Sequence, residues 1–168
     1  MSHFKALAAA SAAASLLAFI NITAAHAADA PASRLSLDLN LASVHTEAWA
    51  RRELNQVNPG LGLEYQASPD VGYAVGFYRN SYRRTSAYAL GVWTPLHAAI
   101  PGGLTLAAGL AGGLVSGYTR TECPARPLAA GVVLRIRDRD GLGINVLAVP
   151  NTPHGGSGFI GLQFVAPI

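Results

Sequence analysis

Of the 168 residues, 51% are apolar and only 12% are charged, about half the charged share of an ordinary globular protein. A formal net charge of +3 is mild and no nucleic-acid motif accompanies it, which sets nucleic acid aside as a partner. The single cysteine, Cys123, cannot make an intrachain disulfide, and with His45, His97 and His154 it offers no metal-ligand spacing, so neither a metal nor a cofactor is expected.

The chain opens on Lys5 and an uncharged Ala/Leu-rich run from Ala6 to Ala25. The run closes in Ala25-His26-Ala27, with small residues at the two positions a signal peptidase reads. Residues 1–27 are expected to be a secretory signal peptide and residues 28–168 the mature domain. The competing reading is a retained membrane helix, since the run reaches the ~20 residues a span requires, although alanine inserts weakly. After residue 27 no apolar run approaches that length. High apolarity without helical spans, arranged with period two, predicts an all-β fold: an eight-stranded antiparallel transmembrane β-barrel.

The first predicted strand covers residues 34–44, with Leu35, Leu37, Leu39 and Leu41 on one face and Ser36, Asp38 and Asn40 on the other. A loop covers residues 45–59. The second strand, 60–67, sets Leu61, Leu63 and Tyr65 against Gly62, Glu64 and Gln66, and Ser68-Pro69-Asp70 is a turn by composition. The third strand alternates Tyr73, Val75 and Phe77 with Gly72, Ala74 and Gly76. A basic, hydroxyl-rich tip follows, and alternation resumes with Tyr88, Leu90 and Val92 against Ala87, Ala89 and Gly91. Read by size, this hairpin has a large apolar outer face and an inner face of small residues.

Residues 94–102 read as a connection. The fifth strand, 103–115, turns Leu104, Leu106 and Leu110 outward and Thr105, Ala107, Gly109 and Ala111 inward. The sixth, 128–137, turns out Leu128, Val132, Leu134 and Ile136, and Asp138-Arg139-Asp140-Gly141 is a turn. The seventh is 142–149. The eighth, 159–168, carries Ile160, Leu162, Phe164, Ala166 and Ile168 on one face. Strands of about 9–11 residues suit a tilted bilayer crossing, and even strand number with alternating short turns and long loops suits a bacterial outer-membrane barrel. A soluble lipocalin-like barrel would instead place its bulky apolar faces inside; here the charges Asp38, Glu64, Arg135 and Arg137 share the other face.

With the first strand rising from the periplasm, the loops at His45, Asn80, Thr119 and His154 lie outside and the inward charges lie toward the periplasm. The upper interior is expected to be lined by Gly72, Ala74, Gly76, Ala87, Ala89, Gly109 and Ala111. Such small apolar residues make an acyl-chain pocket, or simply let a small barrel close and twist; both readings stand. Pro127 and Pro150 sit at the outer ends of neighbouring strands and donate no ladder hydrogen bond. They either open a gap to lipid or merely end the strands.

Several stretches then resemble the outer-membrane lipid A palmitoyltransferases, the PagP family. They are a histidine closing the first strand; Arg51-Arg52-Glu53-Leu54-Asn55-Gln56 before Gly60-Leu61-Gly62-Leu63; Tyr73-Ala74-Val75-Gly76-Phe77 before a polar-Ser-aromatic tip; Trp93-Thr94-Pro95-Leu96; a proline-bearing start to the sixth strand; and Val149-Pro150-Asn151-Thr152 with Gly155-Gly156-Ser157-Gly158-Phe159 in the last hairpin. The resemblance spans the mature barrel. It implies transfer of a palmitoyl-like chain from a phospholipid donor to lipid A by a monomer in the outer membrane.

By position the family's catalytic His and Ser match His45 and Ser81, and its Asp matches Asn80. An amide cannot serve as a carboxylate base, though it can orient a group by hydrogen bonds. For acyl transfer the expected roles are His45 as general base and then acid, Ser81 as nucleophile or oxyanion donor, and Asn80 polarising the carbonyl, while Arg79, Arg83 and Arg84 clamp lipid phosphates for the reaction or, as a solvated loop, grip headgroups without catalysis. The family's N-terminal amphipathic helix has no counterpart, because Ala28 to Ser33 is too short for one. One condition attaches to His45: parity in the first strand points it outward unless a bulge near Ala42-Ser43 resets the alternation. The alternatives to transfer are a non-catalytic barrel that is structural or binds a lipid or partner, and a lipid A deacylase.

Overall fold

The computed structural model describes residues 34–152 and 156–168. The predicted signal segment, the short stretch before the first strand and His154 lie outside these residues. Eight strands follow in chain order: β1 (Leu35–His45), β2 (Val57–Gln66), β3 (Val71–Arg79), β4 (Thr85–Ile100), β5 (Leu104–Val115), β6 (Leu128–Arg137), β7 (Gly143–Val149) and β8 (Phe159–Pro167). Each pairs antiparallel with its sequence neighbour, and β8 returns to β1, so the sheet closes into a barrel. Closure gives every strand a partner on both sides. The first loop carries a single short helix, α1 (Ala48–Glu53).

The outer wall is apolar. Tyr73, Val75 and Phe77 on β3 are each more than half exposed, as are Trp93, Leu110 and Val132 on β4, β5 and β6. The polar side chains of the strands turn inward: Asp38, Glu64, Arg135 and Asn145 are all buried. This is the inverse of a water-soluble barrel, and it follows the period-two pattern because successive strand side chains leave opposite faces.

One strand departs from its predicted facing. On β4, Tyr88 and Val92 are buried while Ala87, Ala89 and Gly91 are exposed, so the face read as outer is the inner one. The hairpin register decides this. Arg79 pairs with Thr85, and then Phe77 with Ala87, Gly76 with Tyr88, Ala74 with Leu90 and Gly72 with Val92. Directly opposed residues share a face, so large groups on one strand stand over small ones on the other. The predicted 94–102 connection is also shorter: β4 runs to Ile100, with a register shift between Trp93 and Leu96 that accommodates Pro95. The turn itself uses Gly102 and Gly103, both with positive φ.

Inside, the end nearest the short turns is filled by a polar network. Glu64 accepts from Arg135, from Arg137 at 3.4 Å and from Asn145 at 3.0 Å. Arg135 also reaches Gln66 (2.7 Å), and Asn145 continues through Gln163 to Asn40. An apolar patch of Val92, Ala111 and Val133, with Leu147 against it, packs beside this network.

Candidate functional site

The site begins with a fault in β1. The pairing of β1 with both β2 and β8 shifts between Asn40 and Ala42. Leu39 and Leu41 face out, yet after the shift Val44 is the exposed residue and Ser43 and His45 turn inward. The bulge therefore meets the condition that the sequence placed on His45. Pro59 lies in the opposing irregular stretch of β2, where a missing N–H is tolerated.

His45 is 3% exposed. Its backbone N–H donates to Gln56 Oε1 (3.1 Å) and its carbonyl accepts from Arg51 (2.9 Å). Its ring meets Phe159 edge to face at 5.9 Å. Neither ring nitrogen has a hydrogen-bond partner among the described residues. Such a group costs ~1–3 kcal/mol when left unsatisfied, so a buried, unpartnered imidazole calls for a reason.

Asn80 and Ser81 begin the turn between β3 and β4. Asn80 is fully buried and its amide is fully used. It donates to Ser86 Oγ and to the Gly117 carbonyl, both at 3.0 Å, and accepts from the backbone N–H groups of Tyr82 (2.9 Å) and Arg84 (3.0 Å). It locks the turn to the loop after β5 and has no capacity left for a carbonyl or for His45. Ser81 is 8% exposed, and its carbonyl accepts from Asn55 N–H at 2.9 Å. Ser43 Oγ donates to Asn58 (2.6 Å), which donates to the Arg79 carbonyl (2.9 Å). Asn58 on β2 thus ties the His45 end of β1 to the end of β3, and Asn55 ties the first loop to the Ser81 turn. His45 and Ser81 come to the same rim without a hydrogen bond between them.

The three arginines separate. Arg84 donates to the Gly117 carbonyl (3.0 Å), is paired with Glu122 and lies over the Tyr82 ring. Arg79 and Arg83 are exposed, beside Asn55, Val57 and Pro59 on the outer side of the rim. Of the small residues expected to line an acyl pocket, Gly72, Ala74, Gly76, Gly109 and Ala111 are on the inner face, and Ala87 and Ala89 are on the outer wall. The inner space beside β2 and β3 is occupied by Tyr88. A Cβ on Gly62 would strike its phenol oxygen and one on Gly76 would fall 2.7 Å from it. Gly109 serves the backbone instead: a Cβ there would strike the Trp93 carbonyl at the β4 bulge.

Residues that sequence reasoning passed over complete the rim. Tyr78 and Tyr118 join hydroxyls at 3.0 Å, and Tyr82 meets Tyr118 edge to face. Burial pushes the Tyr118 phenol far above its ordinary value, so it stays neutral. The loop of residues 116–127 is held over the barrel mouth by these contacts and by Glu122. Burial opposes the charge on Glu122, but the Thr119 backbone N–H, the Arg84 guanidinium and the Thr119 hydroxyl hold its carboxyl below the usual range. The sequence holds no signal for these contacts: Tyr78 pairs with Tyr118 and Asn80 with Gly117 across 40 and 37 positions, which no local pattern reveals.

At the same end the ladder between β6 and β7 runs only from Val132–Ala148 to Arg137–Gly143. Residues 128–131 of β6 pair with β5 but have no ladder partner on β7. Pro127 and Pro150 bound this stretch. At the opposite end His97 bonds Asp70 at 2.8 Å, away from the rim. Among the described residues no cluster of His, Cys, Asp or Glu has the makings of a metal site. No family model matches the chain, and no curated protein matches it either.

Proposed function

We propose that the protein is an outer-membrane barrel that moves an acyl chain from a phospholipid to another outer-leaflet lipid, in the manner of the lipid A palmitoyltransferases. The observation that carries this reading is His45: a bulge turns it into the barrel mouth, and both ring nitrogens are left free in a buried place. A free imidazole there has a use in proton transfer and none in holding the fold. The apolar wall supports insertion among lipid chains, and the short β6–β7 ladder offers a donor lipid a way in from the side.

In this scheme His45 removes the proton from the attacking lipid hydroxyl, whose oxygen bonds to the ester carbonyl carbon. The ester C–O bond then breaks, and the imidazolium returns its proton to the departing oxygen. Ser81, unbonded to His45, is assigned the role of hydroxyl donor to the carbonyl oxygen as negative charge develops there. Asn80 acts at a distance, by holding the turn that carries Ser81.

A second reading has its own support. Tyr88 occupies inner space that an acyl chain would need, and the Asn80 amide is spent on the turn, both of which suit a non-catalytic barrel. Expression in the outer membrane of cells lacking such enzymes, followed by mass analysis of lipid A, separates the possibilities. A palmitate-sized gain that disappears in His45→Ala and falls in Ser81→Ala supports transfer. Loss of one acyl chain means deacylation, and an unchanged lipid A means the non-catalytic reading. Full activity in both variants would remove His45 and Ser81 from the site.

A further inference from the structure

A groove on the outer wall lies at the loop end of β2 and β3. Asn55, Val57, Pro59, Arg79 and Arg83 line it, with a volume of about 240 Å³. Below it on the same two strands come Leu61, paired with Phe77, and Leu63, paired with Val75. All four are exposed. Two guanidiniums therefore stand at the head of an apolar column on the outside of the barrel.

Both charges are available. Among the described residues Arg79 and Arg83 take part in no salt bridge, whereas Arg84 is committed to Glu122. Arg83 is held in a left-handed conformation, φ 61°, the only non-glycine residue among those described to have a positive φ. The turn imposes it: Arg83 N–H donates to the Asn80 carbonyl (2.9 Å), and the Asn80 side chain gathers the N–H groups on either side. Glycine or asparagine takes this conformation at little cost and arginine does not. Backbone strain of this kind is kept where a side chain is needed.

We propose that this groove binds the phosphate monoester of an outer-leaflet lipid whose acyl chains lie along the Leu61–Phe77 column. Two guanidiniums match the ~−1.5 to −2 charge of a monoester better than the single charge of a phosphodiester. The volume is below the ~300 Å³ at which a pocket takes a whole small molecule, so the head enters and the chains stay on the wall. Asn55 bonds the Ser81 carbonyl, which couples the occupied groove to the turn that carries Ser81. The proposal rests on the membrane reading and not on chemistry at His45.

The test uses the purified barrel in zwitterionic detergent and reads retained lipid by native mass spectrometry. The probes are dioleoyl phosphatidic acid, a monoester, and dioleoyl phosphatidylglycerol, a diester, with inorganic phosphate as competitor. The expected result is about tenfold preferential retention of the monoester lipid. Retention falls in Arg79→Gln and Arg83→Gln and is unchanged in Arg120→Gln. Arg83→Asn adds a sharper readout, losing retention while its melting temperature holds or rises because the turn is relieved. Equal retention of the two lipids, wild-type retention by the Arg79→Gln/Arg83→Gln double variant, or displacement of the lipid by equimolar inorganic phosphate would each overturn the proposal. Because binding is read directly, failure of acyl transfer leaves this outcome untouched.

Discussion

Each end of the barrel interior sets spent polar side chains beside one that has no hydrogen-bond partner. Toward the short turns, Glu64, Arg135, Arg137, Asn145, Gln163 and Asn40 are joined in one network. The fully buried Asp38 there has no hydrogen bond, and its charge faces those of Arg137 and Arg135. Toward the loops, Asn80 is saturated while the His45 ring, equally buried, touches only an aromatic edge. A polar group whose capacity is spent internally supports the fold, whereas one buried with capacity to spare can act on something else. That difference separates Asn80 from His45, which the sequence had put in one catalytic set.

The comparison breaks most readily at the turn end. Glu64→Ala leaves two buried guanidiniums without their shared carboxylate and is expected to cost ~3–5 kcal/mol, read as a lower urea midpoint for the detergent-folded barrel. Wild-type stability would mean that the network is not structural. Next comes the contact over the glycines. Gly62→Ala should cost ~1–3 kcal/mol through its clash with the Tyr88 hydroxyl. In a Tyr88→Ala background part of that cost should vanish, the rest remaining because the new Cβ also meets the Val75 backbone carbonyl at 2.8 Å, so a double-mutant cycle should show a coupling smaller than the single cost. Additive costs would show that Tyr88 does not fill the space beside Gly62.

At the loop end, Asn80→Asp sets a carboxylate oxygen against the Gly117 carbonyl in place of a donor. It should destabilise the turn by ~1–3 kcal/mol and lower any acyl transfer, although the resembling family carries an acid at the matching position. A gain in transfer without loss of stability would show that the side chain acts on substrate. The smallest effect belongs to the partly exposed Arg84–Glu122 pair, where Arg84→Gln should cost no more than ~1 kcal/mol. The Glu122 carboxyl lies below its ordinary range, so its contribution is whole at neutral pH. It is lost only as pH falls through that depressed value, visible as faster hydrogen exchange in residues 116–127. Loss of protection nearer neutrality would point to another group.

Much of the fold was legible in the sequence, and the failures are instructive. Faces on β1 up to its bulge, on β2 and β3 and on β5 to β8 follow from alternation because each strand repeats one size or polarity difference at period two. On β4 that rule misled, since Tyr88 and Val92 are large and Ala87 and Ala89 small. The side facing the lumen was set by register with β3, and the register by a turn of residues 80–84. The helix α1 was missed because six residues carry too little periodicity to announce it. At the candidate site, His45, Asn80 and Ser81 were picked out as residues, but their partners were not. Hydrogen bonds from Asn80 to Gly117, or contacts from Tyr88 to Gly62, join positions that only barrel closure brings together.

The sequence by itself determined a β-barrel with strands at nearly the right places and an apolar outside, because backbone geometry alone makes period two a statement about faces. Tertiary structure decided the rest. It chose which face of β4 is inner, whether His45 points in or out, and which of Asn80, Ser81 and three arginines is free to meet another molecule. The physical reason is that facing depends on a one-residue shift in pairing and availability depends on partners far away in the chain. Neither leaves a mark in the local order of residues.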